Sequence, residues 1–491
     1  MNNTNSNVQT NLTSESLKQK TARGLLWGAI NNGGQQLLGL LFGIVLGQIL
    51  FPEDYGMIAM LLVFSGISSV LQESGFIAGL TQKDEVTQAD LTAVFWFNVL
   101  CGGALYSLLF FAAPLLAHFM NEPALTPLAR VFFLGFLISS FGIVPRAILF
   151  RELRTKENAA VGILSLALSG AIGIALALTG LGYWALAGQT LTFCASVTLS
   201  SCFFAKWRPS LSLNFRPLRP IFAYSSKLLL TDICQQINIH LMAFILGKYY
   251  QKNTVGYYAQ GSKWTSMGTQ VISGMVQGVA QPTFARLQHE PERAQRALGK
   301  LMRFTAFVSM PALFGLCLVT PELIGIVFPE RWLPVVPYMQ LLCIGAAFMP
   351  LQLLMGQFIT AQGRSNIYMY CTIAQGILQL LLMLTLMRYD ILPMLIGYVT
   401  LNIAYLIVWH HQVRKLSGYT RRQMLRDTLP FTFIAAIAMA LAAFIASFTT
   451  HLWVSFVLKM LIAAVFYLGT MKLLRAKTLD DCIAYLKQRA I

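Results

Sequence analysis

Apolar residues come in blocks along this chain, and the blocks are long. Fourteen runs stand out, at about 24–50, 56–80, 91–116, 125–149, 159–179, 183–205, 220–246, 255–282, 299–320, 335–360, 366–387, 392–412, 429–448 and 453–474. A helix needs about 20 mostly apolar residues to cross a bilayer, and every run meets that length. A tilted barrel strand needs only about ten, so a β-barrel is excluded. The runs follow one another closely and leave no room for a soluble domain. The pattern predicts an all-α integral membrane protein with 14 transmembrane helices.

Polar residues inside the runs recur at helical spacing. Run eight carries Lys263, Ser266, Gln270, Ser273, Gln277 and Gln281 on one face. Run seven carries Lys227, Thr231, Cys234 and Asn238, with Gln235 beside them and Asp232 on another face. Run two has Ser65, Ser69 and Gln72 with Glu73 adjacent, and run one has Asn31 and Gln35 next to Asn32 and Gln36. Run eleven has Tyr368, Thr372, Gln375 and Gln379. Two readings compete for such stripes. Ser, Asn and Gln glue helices together in membranes. They also line wet cavities, because a polar group facing lipid is costly. A continuous lane, as in run eight, suits a cavity better. Lys227 and Lys263 then suggest a cationic cavity for an anionic headgroup, since lysine is a mobile point charge well suited to phosphate. Snorkelling toward the membrane surface is the alternative for both.

Composition agrees with the pattern. Of 491 residues, 56% are hydrophobic and 11% are charged, against roughly 25% charged in a soluble domain. Disorder, coiled coil and an ordinary soluble enzyme are excluded. The net charge of +17 could suggest nucleic acid, but its placement argues otherwise. With the N-terminus in the cytoplasm, 28 of the 36 basic residues fall in inner segments, four in outer loops and four at membrane depth. The last four are Arg130, Lys227, Lys263 and Lys459. This asymmetry is the positive-inside signature, and it predicts both termini in the cytoplasm and no nucleic-acid partner.

A shift of 200 residues superposes Gln35-Gln36 on Gln235-Gln236, Leu46-Gly47 on Leu246-Gly247, Gly56 on Gly256 and Ala59 on Ala259. Six runs separate the equivalent points, so the copies are parallel. The predicted organisation is a cytoplasmic tail over 1–22, an N-lobe over 23–205 and a cytoplasmic linker over 206–219. A C-lobe over 220–415, two appended helices over 429–474 and a second tail over 475–491 complete it. The two six-helix lobes would carry the substrate path between them.

Signatures of chemistry do not appear. The eight cysteines have no CxxC spacing and read as small hydrophobes. The six histidines show no metal spacing, and no phosphate-binding loop is present, so no metal or cofactor is expected. His240 lies in a run, as a proton relay or a hydrogen-bonded core residue. A membrane enzyme of glycan assembly would need a large outer loop, whereas the longest here is about 14 residues, 321–334. The chain is therefore expected not to be an enzyme.

The run Leu46-Gly47-Gln48-Ile49-Leu50-Phe51-Pro52-Glu53-Asp54-Tyr55-Gly56 resembles the first-span signature of Wzx-type polysaccharide flippases. Those proteins form the polysaccharide transporter branch of the multidrug/oligosaccharidyl-lipid/polysaccharide exporter superfamily. Glu73-Ser74-Gly75-Phe76 resembles the family's second-span segment, and Pro145-Arg146 with Arg151 the basic end of its fourth span. The second repeat keeps only Gly256 of the signature. The resemblance implies a flippase in the bacterial inner membrane. It would move an undecaprenyl-diphosphate-linked oligosaccharide by alternating access, for O-antigen, capsule or exopolysaccharide assembly. Membrane lipids, a polysaccharide polymerase, glycosyltransferases and H+ or Na+ are the implied partners, with the protein itself a monomer. The expected substrate-binding residues are Lys227, Lys263, Gln35, Gln235, Asn31, Asn238, Gln270, Gln277 and Arg146, with Glu73 or Asp232 coupling ions. The alternative is a cation-coupled multidrug exporter. Two lysines against two acids among the cavity candidates do not favour a cation.

Overall fold

The computed structural model describes residues 27–28, 31–73, 86–152, 154–211, 214–215, 218–449, 451–474 and 479, with side chains for all of these except 73 and 218–228. The side chains of Lys227 and Glu73, the segment 74–76, the predicted tail 1–22 and nearly all of the tail 475–491 lie outside the described residues.

Among the described residues the chain is helical and contains no strand. Helix α1 covers 31–49. It is followed by α2 (Pro52–Ala59), α3 (Leu62–Glu73), α4 (Gln88–Met120), α5 (Leu125–Phe132), α6 (Leu134–Arg151), α7 (Thr155–Leu178) and α8 (Tyr183–Ala205). Then come α9 (Leu218–Tyr249), α10 (Lys252–Arg286), α11 (Pro291–Val327), α12 (Val335–Ala346) and α13 (Met349–Ala361). The last four are α14 (Ser365–Leu386), α15 (Ile391–Ser417), α16 (Arg421–Ala446) and α17 (Leu452–Leu473). Over the described residues, each of the fourteen apolar runs thus falls on one helix or on two consecutive ones. Among the described residues, ten stretches are long and apolar enough to cross a membrane, or eleven if α2 and α3, bent by 42° at their junction, form one span. The protein is a multi-pass membrane protein.

Local chemistry sets the helix starts. Pro52 opens α2 at a position where its missing N–H costs nothing. Asp54 then accepts the Phe51 N–H at 2.9 Å through Oδ2 and places its negative charge in the first turn. The Pro-x-Asp-Tyr-Gly motif is thus a helix-starting device, with Tyr55 and Gly56 buried behind it. Thr87 and Asp90 exchange backbone and side-chain hydrogen bonds at the start of α4, and Thr420 and Gln423 do so at the start of α16.

The chain packs as two compact units, Met1–His240 and Leu241–Ile491, divided inside α9. In the first, α8 is the hub and packs against α2, α5, α6 and α7. In the second, α11 is the hub, against α10, α12, α13, α15, α16 and α17. Its core joins Ile272, Val276, Ala280 and Phe284 of α10 to Met302, Ala306 and Met310 of α11.

Candidate substrate cavity

The first unit carries two half-open chambers that share lining residues. The larger, about 450 Å³, is walled by α3, α5, α6, α8 and α9. Small residues make the room: Ser65, Gly66 and Ser69 line it from α3, and Gly135 and Ser139 from α6. Gln72, 2% exposed, is pinned by its amide, which donates to the Phe136 carbonyl at 3.0 Å. Gly66 permits a close approach. A Cβ there would sit 2.8 Å from Gln236 Oε1 and 3.2 Å from His240 Cδ2, so glycine lets these two α9 side chains lie against α3 without displacement.

The second chamber, about 440 Å³, is lined from α1, α6, α7 and α8. Gln35 donates to Asn31 Oδ1 at 2.7 Å on its wall, and Thr155 and Asn158 add hydroxyl and amide groups from the first turn of α7. Arg146, Phe193 and Val197 line both chambers. Arg146, half-buried on α6, therefore stands at their common wall. Among the described residues, no Asp or Glu lines either chamber, and the ionisable side chains are Arg146, His240 and Cys194. The lining brings a guanidinium together with neutral hydrogen-bonding groups of the kind that suit a polyol.

The sequence-predicted residues divide into groups. Asn31, Gln35 and Arg146 come together in the second chamber. Gln235, Asn238 and Asp232 are half-buried on α9, and Gln236 and His240 of that helix line the first chamber. Lys263, Gln270 and Gln277 lie on the open face of α10, opposite the buried Gln260, Trp264, Ile272 and Val276, so these three residues turn away from their unit's core. Run eleven is glue. Gln375 and Gln379 both donate to Asn402 Oδ1 at 2.8 Å, and Gln352 Nε2 donates to the Asn402 carbonyl at 2.5 Å, tying α13 and α14 to α15. Lys459 of α17 is a structural pair, donating to Glu322 Oε1 of α11, which also accepts from Ser455 Oγ at 2.8 Å. Arg130 lies over the Phe110 ring, 4.5 Å from its centroid. The seven described cysteines are free thiols.

Gln236, His240, Thr155 and Asn158 are among the lining residues that sequence reasoning did not place in a binding role, as are Ser139, Thr190 and Thr198. The Gln35-Gln36 and Gln235-Gln236 doublets carried the signal, but neighbouring helical residues point about 100° apart, and the doublet does not say which member turns inward.

The family model described as "Polysaccharide biosynthesis protein" matches residues 45–337, more than half of the chain. The chain belongs to that family. The lipopolysaccharide biosynthesis protein WzxC of Escherichia coli K12 is 25% identical to this polysaccharide biosynthesis protein over 358 residues, 72% of each chain. The resemblance to the Wzx-type family, read from residues 46–56, 73–76 and 145–151, is borne out. The lipid II flippase MurJ in an inward closed conformation shares the fold, with a TM-score of 0.74 over 92% of this chain and 99% of that one, at 13% identity. An inward-facing multidrug-resistance MATE transporter shares it too, with a TM-score of 0.62 over 79% and 96%, at 16% identity. Fold alone therefore does not separate flippase from drug exporter, and the lining of the chambers has to.

Proposed function

We infer that this polysaccharide biosynthesis protein is a flippase for a lipid-linked oligosaccharide. The observation that carries the reading is the pair of cavities that share Arg146 and carry several neutral hydrogen-bonding side chains, with no described acid in their lining. A cation exporter needs negative charge where its cargo sits, whereas a sugar on a diphosphate needs a cation beside many neutral donors and acceptors. The proposed substrate is an undecaprenyl-diphosphate oligosaccharide of O-antigen, capsule or exopolysaccharide assembly. Polymerase and glycosyltransferases would act beside the flippase.

The mechanism we favour is alternating access by fourteen spans in the inner membrane, two six-helix lobes and two appended helices, with both termini cytoplasmic. Arg146 holds the diphosphate in the first unit. Lys227 and the open-face Lys263 attract it, and Gln35, Asn31, Gln235, Asn238, Gln270 and Gln277 contact sugar. Glu73 and Asp232 remain the sequence-based candidates for coupling to H+ or Na+. The test replaces Arg146 by Ala, and separately Lys227 and Lys263 together, and measures surface polysaccharide at matched protein level. One lost charge-assisted contact reduces export roughly tenfold. Undiminished export in the Arg146 variant overturns the role given to the chambers.

A further inference from the structure

A separate group of cations stands in the second unit, where α11 and α16 run side by side in the same direction. Gln295 Nε2 donates to Gln423 Oε1 at 3.3 Å near their starts. Farther in, Arg303 pairs with Asp427 at 3.2 Å, and the Phe307 and Phe431 rings meet with centroids 6.0 Å apart. Gly299 lets the Asp427 carboxylate approach, with Oδ2 only 3.1 Å from where a Cβ would stand. Near the helix starts, contact therefore runs through 295 and 299 on α11 and through 423 and 427 on α16.

Each of these contact residues has a cation beside it in sequence. On α11 the cation comes one residue later, Arg296 after Gln295 and Lys300 after Gly299. On α16 it comes one residue earlier, Arg422 before Gln423 and Arg426 before Asp427. One residue turns a helix by about 100°, and the two rotations have opposite sense. Between parallel helices that face each other, opposite rotations lead to the same side of the pair. The four cations thus rim one face of the α11–α16 seam. All four are exposed, and none has an ion-pair or hydrogen-bond partner among the described residues. Nearby acids are engaged elsewhere or apart. Glu290 holds Arg293 at 2.7 Å, Asp427 holds Arg303 and Tyr419, and Glu292 pairs with none of the four. Farther along the same helices the exposed side chains become apolar, with Phe304 on α11 and Leu429 and Phe433 on α16. The apolar runs begin at 299 and 429, so the cations stand at the edge of the bilayer and these apolar side chains within it. A bias of positive charge to one side of the membrane explains how many basic residues gather here. It does not explain why four stay unpaired on one face while Arg154, Arg293 and Arg303 find acids.

We propose that this face is a binding site for the headgroup of an anionic phospholipid. Phosphate oxygens accept from guanidinium and ammonium donors alike, and basic pockets between spanning helices recognise lipid headgroups in this way. Phe304, Leu429 and Phe433 lie along the acyl chains, and the phosphate bridges the hub helix α11 to α16. By the loop charges, the leaflet is the cytoplasmic one. The site does not depend on what the chambers of the first unit carry.

The test titrates the full chain in detergent with dioctanoyl phosphatidylglycerol, with dioctanoyl phosphatidylcholine as the zwitterionic control, and counts bound lipid by native mass spectrometry. The wild type binds one phosphatidylglycerol in preference to phosphatidylcholine. Each cation lost beside an anionic lipid lowers affinity roughly fivefold. Arg296→Gln with Lys300→Gln therefore weakens binding roughly twenty-five-fold, and Arg422→Gln with Arg426→Gln does the same. Arg422→Lys with Arg426→Lys retains binding, because the charges remain. Arg414→Gln with Lys415→Gln removes two exposed cations at the end of α15 and leaves binding unchanged. Equal weakening by the 414/415 pair shows a diffuse charge effect and overturns the proposal, as does wild-type binding without preference for phosphatidylglycerol. Farnesyl diphosphate serves as competitor. If it displaces phosphatidylglycerol at far lower concentration, the face belongs to a lipid diphosphate and the phospholipid assignment falls; phosphatidylglycerol that stays bound supports it.

Discussion

Gly162 shows how one missing side chain shapes the second chamber. A Cβ there would collide with the Gln35 amide nitrogen and come within 2.8 Å of Asn31 Oδ1. Both atoms end flexible side chains, so the helix survives the substitution and the polar wall rearranges. Gly162→Ala is expected to displace the Gln35–Asn31 pair at a cost of about 1 kcal/mol and to reduce export roughly fivefold at unchanged protein level. Gly103→Ala is the control, since its Cβ meets only Leu137 Cδ1 at 4.0 Å, and it should export normally. Equal export by the two variants would remove the Gln35–Asn31 wall from the transport path. At this scale the sequence was partly legible. Arg146 could be found because it follows Pro145 in a recognisable motif, and Gln35 because its doublet recurs 200 residues later. His240 was visible only as an isolated histidine. Its partners come from α3, α6 and α8, over a hundred residues away in most cases, and no spacing rule reaches that far.

At the scale of elements, Asn402 decides how three helices of the second unit meet. Its Oδ1 accepts from Gln375 and Gln379, its own amide donates to the Tyr398 carbonyl at 2.8 Å, and its carbonyl accepts from Gln352. Asn402→Leu would leave Gln379, 2% exposed, without this bond in an apolar surrounding. The expected loss is about 2 kcal/mol, more than membrane hydrogen bonds average, because a buried amide is stranded. Thermal unfolding in detergent measures it; a loss under about 0.5 kcal/mol would show that the amides find other partners. The spacing of run eleven left helix glue and cavity lining both open, and Asn402 on the next helix reveals it as a joint. Helix existence, by contrast, was legible throughout, because twenty apolar residues in a row have few alternatives. The ends were less so. Helix α11, 37 residues long, starts eight residues before its apolar run in a polar segment and ends seven residues after it, inside the stretch expected as a loop. Beyond the span, burial and the Asp427 carboxylate push the Tyr419 phenol above its ordinary value. It stays a neutral donor and bonds Asp427 at 2.8 Å, which fastens the α15–α16 turn.

For the whole molecule, the orientation of every later segment depends on whether α10 spans. Its length, about 52 Å at 1.5 Å per residue, exceeds the hydrocarbon thickness of about 30 Å. Its polar face keeps it out of the set of helices apolar enough to cross on composition alone. Exposed Lys263, Ser266, Gln270, Gln277 and Gln281 would be costly against lipid, and a water-filled path removes that cost. The loop charges give an independent argument. Lys248 and Lys252 are the only basic residues at one end of α10, whereas Arg286, Arg293, Arg296, Lys300 and Arg303 crowd the other. Such asymmetry predicts residue 289 in the cytoplasm and residue 250 outside. Alkaline phosphatase fused after Tyr250 should therefore be active, and after His289 inactive, with fluorescent-protein fusions giving the reverse. A fusion at Gly418 should match His289, because α11 to α15 add an even number of crossings once α12 and α13 form one. If the fusions at 250 and 289 report the same side, α10 lies on the membrane instead of crossing it. The fourteen-span count then fails, and its polar lane no longer belongs to a transport path. Opposite sides leave a polar, lysine-bearing helix crossing the bilayer, and a lane of that kind is stable only when it faces water or cargo.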